Sequence, residues 1–192
     1  VVVGGAGCEH DVRASGPNFV SLPGYLEMFT GKASATCSHN YCAPVATSTV
    51  IDEARAAAHR EGDVAVFASW NKYAHAVARD RRAIVLSAGA SATSLKAAKS
   101  DEKLKFLLEV GQANAGYPGH VDYRPDLYTA RIALRYLETM TPRVLVVGLG
   151  DADEQGHRGD IPGYRRAIRR ADDFLADLDR VLARSEEGKD TA

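Results

Sequence analysis

Ser21, Asp153 and His157 are of types, and at spacings, that could do chemistry. Ser21, in Ser21-Leu22-Pro23-Gly24, stands just ahead of an expected helix over 24–29, with Pro23 as the first helical residue. A hydroxyl there faces free backbone N–H groups and the positive end of a helix, which suits an anionic substrate. The plainer reading is a serine that caps the helix. Asp153 and His157 lie four residues apart on an expected turn, in Gly150-Asp151-Ala152-Asp153-Glu154-Gln155-Gly156-His157. Carboxylate and imidazole at that spacing can converge on one divalent metal, and zinc accepts both ligand types. The plainer reading is a polar loop whose aspartate caps the next turn. Asp151 and Glu154 are spare carboxylates nearby. Two ligands do not make a closed site.

Other signals exclude more than they establish. Gly5-Ala6-Gly7 follows an apolar run, but His10 stands where a dinucleotide fingerprint needs its third glycine. Pro17 and Asn18 break any helix there, so a dinucleotide cofactor is not expected. Cys37 and Cys42 bracket Ser38-His39-Asn40-Tyr41 and can form a tight disulfide or remain plain thiols, with Cys8 left over. A Cys-x-His-x-x-Cys metal site fits less well, because a fourth ligand and the usual second pair are missing.

These residues need elements to hold them. Apolar residues are 45% and charged residues 26% of 192, as in a globular chain that buries a core. Lys plus Arg (24) nearly balance Asp plus Glu (25), so a nucleic-acid duplex is not an expected partner. No 18-residue apolar window suggests a membrane segment. The chain opens on Val1 without a charged n-region or cleavage site, which leaves localisation open. Apolar runs at 1–4, 63–69, 83–87 and 143–149 read as buried strands. Thr49-x-x-Asp52 starts a helix reaching to about Arg60. Pro125 at a first helical position opens a helix over 126–140, with Leu127, Ala130, Leu134 and Leu137 on its apolar face. A last helix lines up Tyr164, Ile168, Ala171, Leu175, Leu178 and Leu182. Its arginines 165, 166, 169 and 170 mix with Asp172, Asp173 and Asp177 as a solvated surface. Strand–helix alternation argues an α/β fold with a mostly parallel sheet sandwiched by helices. In such folds ligands sit beyond the carboxyl ends of the strands, where both loops fall.

Both loops fit one family. The stretch from Ser21 to Gly31 resembles the nucleophile segment of the alkaline phosphatase superfamily, which includes phosphodiesterases, sulfatases and phosphosugar mutases. Its pattern is a nucleophile, Pro two residues later, and Thr-Gly at nine and ten; Ser21, Pro23, Thr30 and Gly31 match each step. Asp153-Glu154-Gln155-Gly156-His157 resembles the Asp-x-x-Gly-His metal segment, and Tyr164 and Asp172 also fall where members carry similar residues. The resemblance covers roughly 1–183 as part of one alkaline phosphatase-like α/β domain, with 184–192 a charged tail. It implies two divalent metal ions, zinc foremost with manganese or magnesium as alternatives. It further implies a small-molecule phosphate ester as substrate and a covalent phosphoserine at Ser21. Ser21 is then both nucleophile and metal ligand, beside the metal ligands Asp153 and His157. Asn40, offset by two from the family's phosphoryl-binding asparagine, is the residue that the resemblance implies for that role.

The departures matter as much. Members take a further aspartate from a first strand, expected before Val1, and three ligands from an Asp-His-Gly segment and a later histidine, expected after Ala192. No Asp-His-Gly occurs here, so the chain reads as the middle of a longer enzyme, close to inactive by itself and a weak zinc binder. Tyr25 occupies the place of the arginine that sulfatases need for formylglycine formation, which disfavours that activity. A binding scaffold without catalysis is the rival from another class.

Overall fold

The computed structural model describes residues 19–90 and 95–184. The expected strand at 1–4 and the tail from 185 onward lie outside the described residues. Three strands, β1 (Val64–Ala68), β2 (Val85–Ala88) and β3 (Val144–Gly148), form a wholly parallel sheet in the order β2-β1-β3. Every residue of central β1 is buried. Its Val64, Val66 and Ala68 join one apolar cluster and its Ala65 and Phe67 the other, so the alternation of a strand feeds two cores. Strand β3, expected to be buried, is partly exposed along its length because among the described residues it pairs on one side only.

Three helices, α1 (Ser21–Thr30), α2 (Val50–Ala56) and α3 (Tyr73–Ala76), build the first cluster through Leu22, Leu26, Phe29, Ile51, Tyr73 and Ala76. On the other face, α4 (Glu102–Ala113) and α5 (Asp126–Met140) contribute Leu104, Leu107, Ile132, Ala133 and Tyr136. Helix α6 (Asp151–His157) follows β3, and α7 (Ile161–Arg184) packs on α5 and α6. Helices thus cover both faces of a parallel sheet, as the alternation predicts.

Several local expectations need correcting. Helix α1 begins at Ser21 rather than at Pro23, and Val20 is its N-cap. The capping box of Thr49 and Asp52 is present, but α2 ends at Ala56 instead of Arg60. The buried carboxylate of Asp63 takes the N–H groups of His59 and Arg60 and turns the chain into β1. Pro125 is the N-cap of α5, with Asp126 the first helical residue. The face of α5 is rotated: Thr129, Ile132, Ala133, Tyr136 and Leu137 are buried while Leu127 is 46% exposed. Polar groups decide this, since the Tyr136 hydroxyl donates to the Gly62 carbonyl and Thr129 bonds Ser69 and Arg124. Helix α7 buries Gly163, Ala167 and Phe174, and leaves Tyr164, Ile168 and Leu175 exposed. Gly163 lies so close to Asp160 and Gln155 that a Cβ there would collide, which fixes the small-residue side of α7 inward.

Candidate active site

At the carboxyl ends of β1 and β3 lies a cleft of about 670 Å³. Ser21, Asn40, Asp153 and His157 all line it, brought together from α1, a loop and α6. Glycine at Gly148 and Gly150 lets two tyrosines floor the cleft, since a Cβ would lie 2.9 Å from the Tyr73 ring or 3.0 Å from the Tyr123 hydroxyl. Tyr25 on α1 also lines it, and burial together with the charges of Asp153 and Asp126 pushes its hydroxyl pKa up.

Ser21 does not cap its helix. Among the described residues its hydroxyl bonds no backbone amide, and the cap comes from far away: Leu22 N–H donates to Asn40 Oδ1 at 2.9 Å. This corrects the expectation of several free N–H groups beside Ser21. Leu22 is taken, Pro23 has no N–H, and Gly24 N–H donates to the Val20 carbonyl. Among the described residues, the start of α1 offers an anion the Ser21 N–H and the Nδ2 group of Asn40, whose oxygen is already occupied.

Asp153 and His157 sit on helix α6, not on a turn, so their spacing of four places them on one face. Asp153 Oδ2 and His157 Nε2 are 3.5 Å apart, with side chains 65% and 72% exposed. Two ligands on a tetrahedral zinc, with bonds of about 2.0–2.1 Å, stand about 3.3 Å apart, so this pair fits one cation with little movement. Among the described residues no three His, Cys, Asp or Glu side chains converge as a metal group. Glu154, also lining the cleft, has its pKa raised, chiefly by burial, with His120 opposing.

Asp151, read from the sequence as a spare carboxylate, is not spare. It is buried and accepts from the Tyr123 hydroxyl at 2.8 Å and from Asp126 N–H at 3.1 Å. Asp126 reciprocates, accepting from the N–H groups of Gly150 and Asp151, both at 2.8 Å. Each carboxylate thus caps the other's helix. Burial first, then the neighbouring Asp126 charge, pushes the Asp151 pKa up to about 6. Ser69 and Thr129 link this pair to Arg124, which is 2% exposed. The Arg124 guanidinium also donates to Ser87 Oγ and to the carbonyls of Ala68 and Ser87, at the ends of β1 and β2. Burial lowers its pKa to about 10, which leaves it charged at neutral pH.

Sequence reasoning missed this polar layer and also missed Lys72, Tyr41, Trp70 and His120 in the cleft wall. Lys72 Nζ lies 5.9 Å from the centre of the Tyr41 ring. The available signal was position: Trp70 and Lys72 follow the carboxyl end of β1 directly. Cys37 and Cys42 are joined by a disulfide, the first of the options their spacing allowed. Comparisons with protein-family models, with curated proteins and with solved structures find no match for this chain. No described helix is long and apolar enough to cross a membrane.

Proposed function

We propose that this chain carries the nucleophile side of a metal-dependent phosphoric ester hydrolase with an alkaline phosphatase-like centre. The observation that supports it is convergence: Ser21, Asn40, Asp153 and His157, distant in sequence, line one cleft at the carboxyl ends of the strands. Ser21 serves as nucleophile, and Asp153 with His157 would hold one of two divalent ions, zinc by preference and manganese or magnesium as alternatives. Metal ions, when bound there, supply Lewis-acid stabilisation of the serine alkoxide and of the leaving oxygen.

The residues divide the remaining work. The Ser21 oxygen attacks phosphorus in line, a P–O bond to it forms, the bond to the leaving oxygen breaks, and the Ser21 proton passes through water to that leaving oxygen. Asn40 Nδ2 and the Ser21 N–H donate to the non-bridging oxygens, and Lys72 adds positive charge at the rim for the anionic substrate. Water then attacks phosphorus, the P–O bond to Ser21 breaks, one water proton ends on the Ser21 oxygen, and phosphate or a phosphomonoester is released.

The test is zinc-dependent hydrolysis of a chromogenic phosphodiester and a phosphomonoester by the protein, compared with Ser21→Ala. Loss of about 10³-fold or more in kcat with the fold intact is expected. Retained activity within about tenfold would leave Ser21 a bystander and favour a binding scaffold.

A further inference from the structure

We infer that the Cys37–Cys42 disulfide is a redox-sensitive clasp that holds Asn40 against the start of α1. Its reduction by an external dithiol would release Asn40 from the cleft. The α1 N-terminus lacks a local side-chain cap, since Val20 offers no acceptor, and depends on Asn40 Oδ1 from eighteen residues along the chain. A cap borrowed over that distance works only if the loop that carries it is held still.

The loop between the cysteines is small and lies on the surface, with Tyr41 83% exposed. Both ends meet the same apolar cluster, and Cys42 has a second anchor besides. Cys37 is 4% exposed and belongs to the apolar cluster of Leu22, Leu26 and Phe29. The Cys42 carbonyl lies 3.0 Å from His75 Nδ1, next to α3. The disulfide closes these two anchors around Asn40 and Tyr41, both of which line the cleft. Closing so short a loop restricts little of the unfolded chain, so the bond acts locally on Asn40 more than on the whole fold.

The exchange is feasible from the outside. Cys42 is the less buried of the two cysteines, and His39 Nδ1 lies 3.6 Å from its sulfur. A thiolate of the dithiol attacks Cys42 Sγ, the S–S bond breaks, and Cys37 leaves as a thiolate that takes up a proton. The second thiol of the reductant then displaces Cys42. The products are two protein thiols and the cyclic disulfide of the reductant.

The structural part of this inference stands apart from the proposed hydrolase; its effect on turnover rests on that reading. The experiment follows amide hydrogen exchange at Leu22, with the β1 amides as internal control, in oxidised protein, dithiol-reduced protein and a Cys37→Ser/Cys42→Ser variant. Leu22 should exchange at least about tenfold faster in the last two, with β1 unchanged. Asn40→Ala should show the same acceleration while oxidised, and reductant should then add nothing. Unchanged exchange at Leu22 would overturn the clasp, as would equal acceleration at β1, which would make the bond a global staple. Hydrolysis of the chromogenic esters, followed in parallel, should fall on reduction. Accelerated Leu22 exchange in protein that turns over no ester in either redox state supports the clasp and counts against the hydrolase alone.

Discussion

The cleft and the polar layer beneath it use similar residue types in opposite ways. In the layer, Arg124, Asp126, Asp151, Tyr123, Ser69 and Thr129 bond one another and the strand ends. In the cleft, Asp153 and His157 face solvent, and the Ser21 hydroxyl caps nothing. A carboxylate with four partners holds two helices at fixed angles; a carboxylate with one weak partner is free to bind something else. Polar side chains near a strand end thus divide by how far their hydrogen bonds are already filled, rather than by type. Asp151 and Asp153, two residues apart, fall on opposite sides of that division.

That contrast can be broken at several points. The largest effect on the fold belongs to Arg124→Met, which takes the buried donor from Ser87 Oγ, Thr129 Oγ1 and the Ser87 carbonyl and leaves the Ala68 carbonyl with Gly89 N–H alone. Destabilisation of about 3 kcal/mol or more is expected in urea unfolding. A cost below about 1 kcal/mol would show that the layer is not the support described.

Asp151→Asn probes the same layer through pH. The folded-state pKa of Asp151 is raised above its ordinary value of 3.8, to about 6. The neutral form is therefore the one the fold favours. Its stabilising contribution is complete below the unfolded pKa and is lost as pH rises through about 6. The asparagine keeps the acceptor oxygen for Tyr123 and Asp126 without the charge. At pH 8 the variant should equal or exceed the parent in stability, by an amount on the order of 1 kcal/mol. Its stability should also vary less between pH 4 and pH 7. A variant markedly less stable at pH 8 would mean that the charge itself is wanted, with Arg170 Nη1 at 4.0 Å as its partner.

Substitutions in the cleft should do the reverse. Asp153→Ala and His157→Ala remove exposed side chains and should change stability by less than about 0.5 kcal/mol. Calorimetric titration should show zinc affinity reduced by at least about tenfold in each. If affinity does not change, this pair is a surface ion pair and no more.

The sequence disclosed the elements better than their faces. Valine runs marked β1 and β3, and the Thr49–Asp52 box marked the start of α2, because local sterics and capping dictate both. The faces of α5 and α7 were misread because counting apolar residues ignores buried threonine and tyrosine with partners, and ignores glycine chosen for close approach. Asp153 and His157 could be set at a strand's carboxyl end from the sequence because α6 follows β3 directly, whereas Lys72, Tyr41, Trp70 and His120 in the same cleft were missed. Three features were not legible, since each depends on contacts across the fold. They are the Asn40 cap on Leu22, the exchange of caps between Asp126 and Asp151, and the burial of Arg124.

The proposed hydrolase requires that Ser21 form a bond to phosphorus. The direct measurement is acid quenching of the zinc-loaded protein during turnover of a phosphate ester, followed by mass spectrometry of the peptide containing Ser21. Phosphate on Ser21, absent in Ser21→Ala, is the expected result. Turnover with Ser21 unmodified, or with phosphate on another residue, would contradict the account.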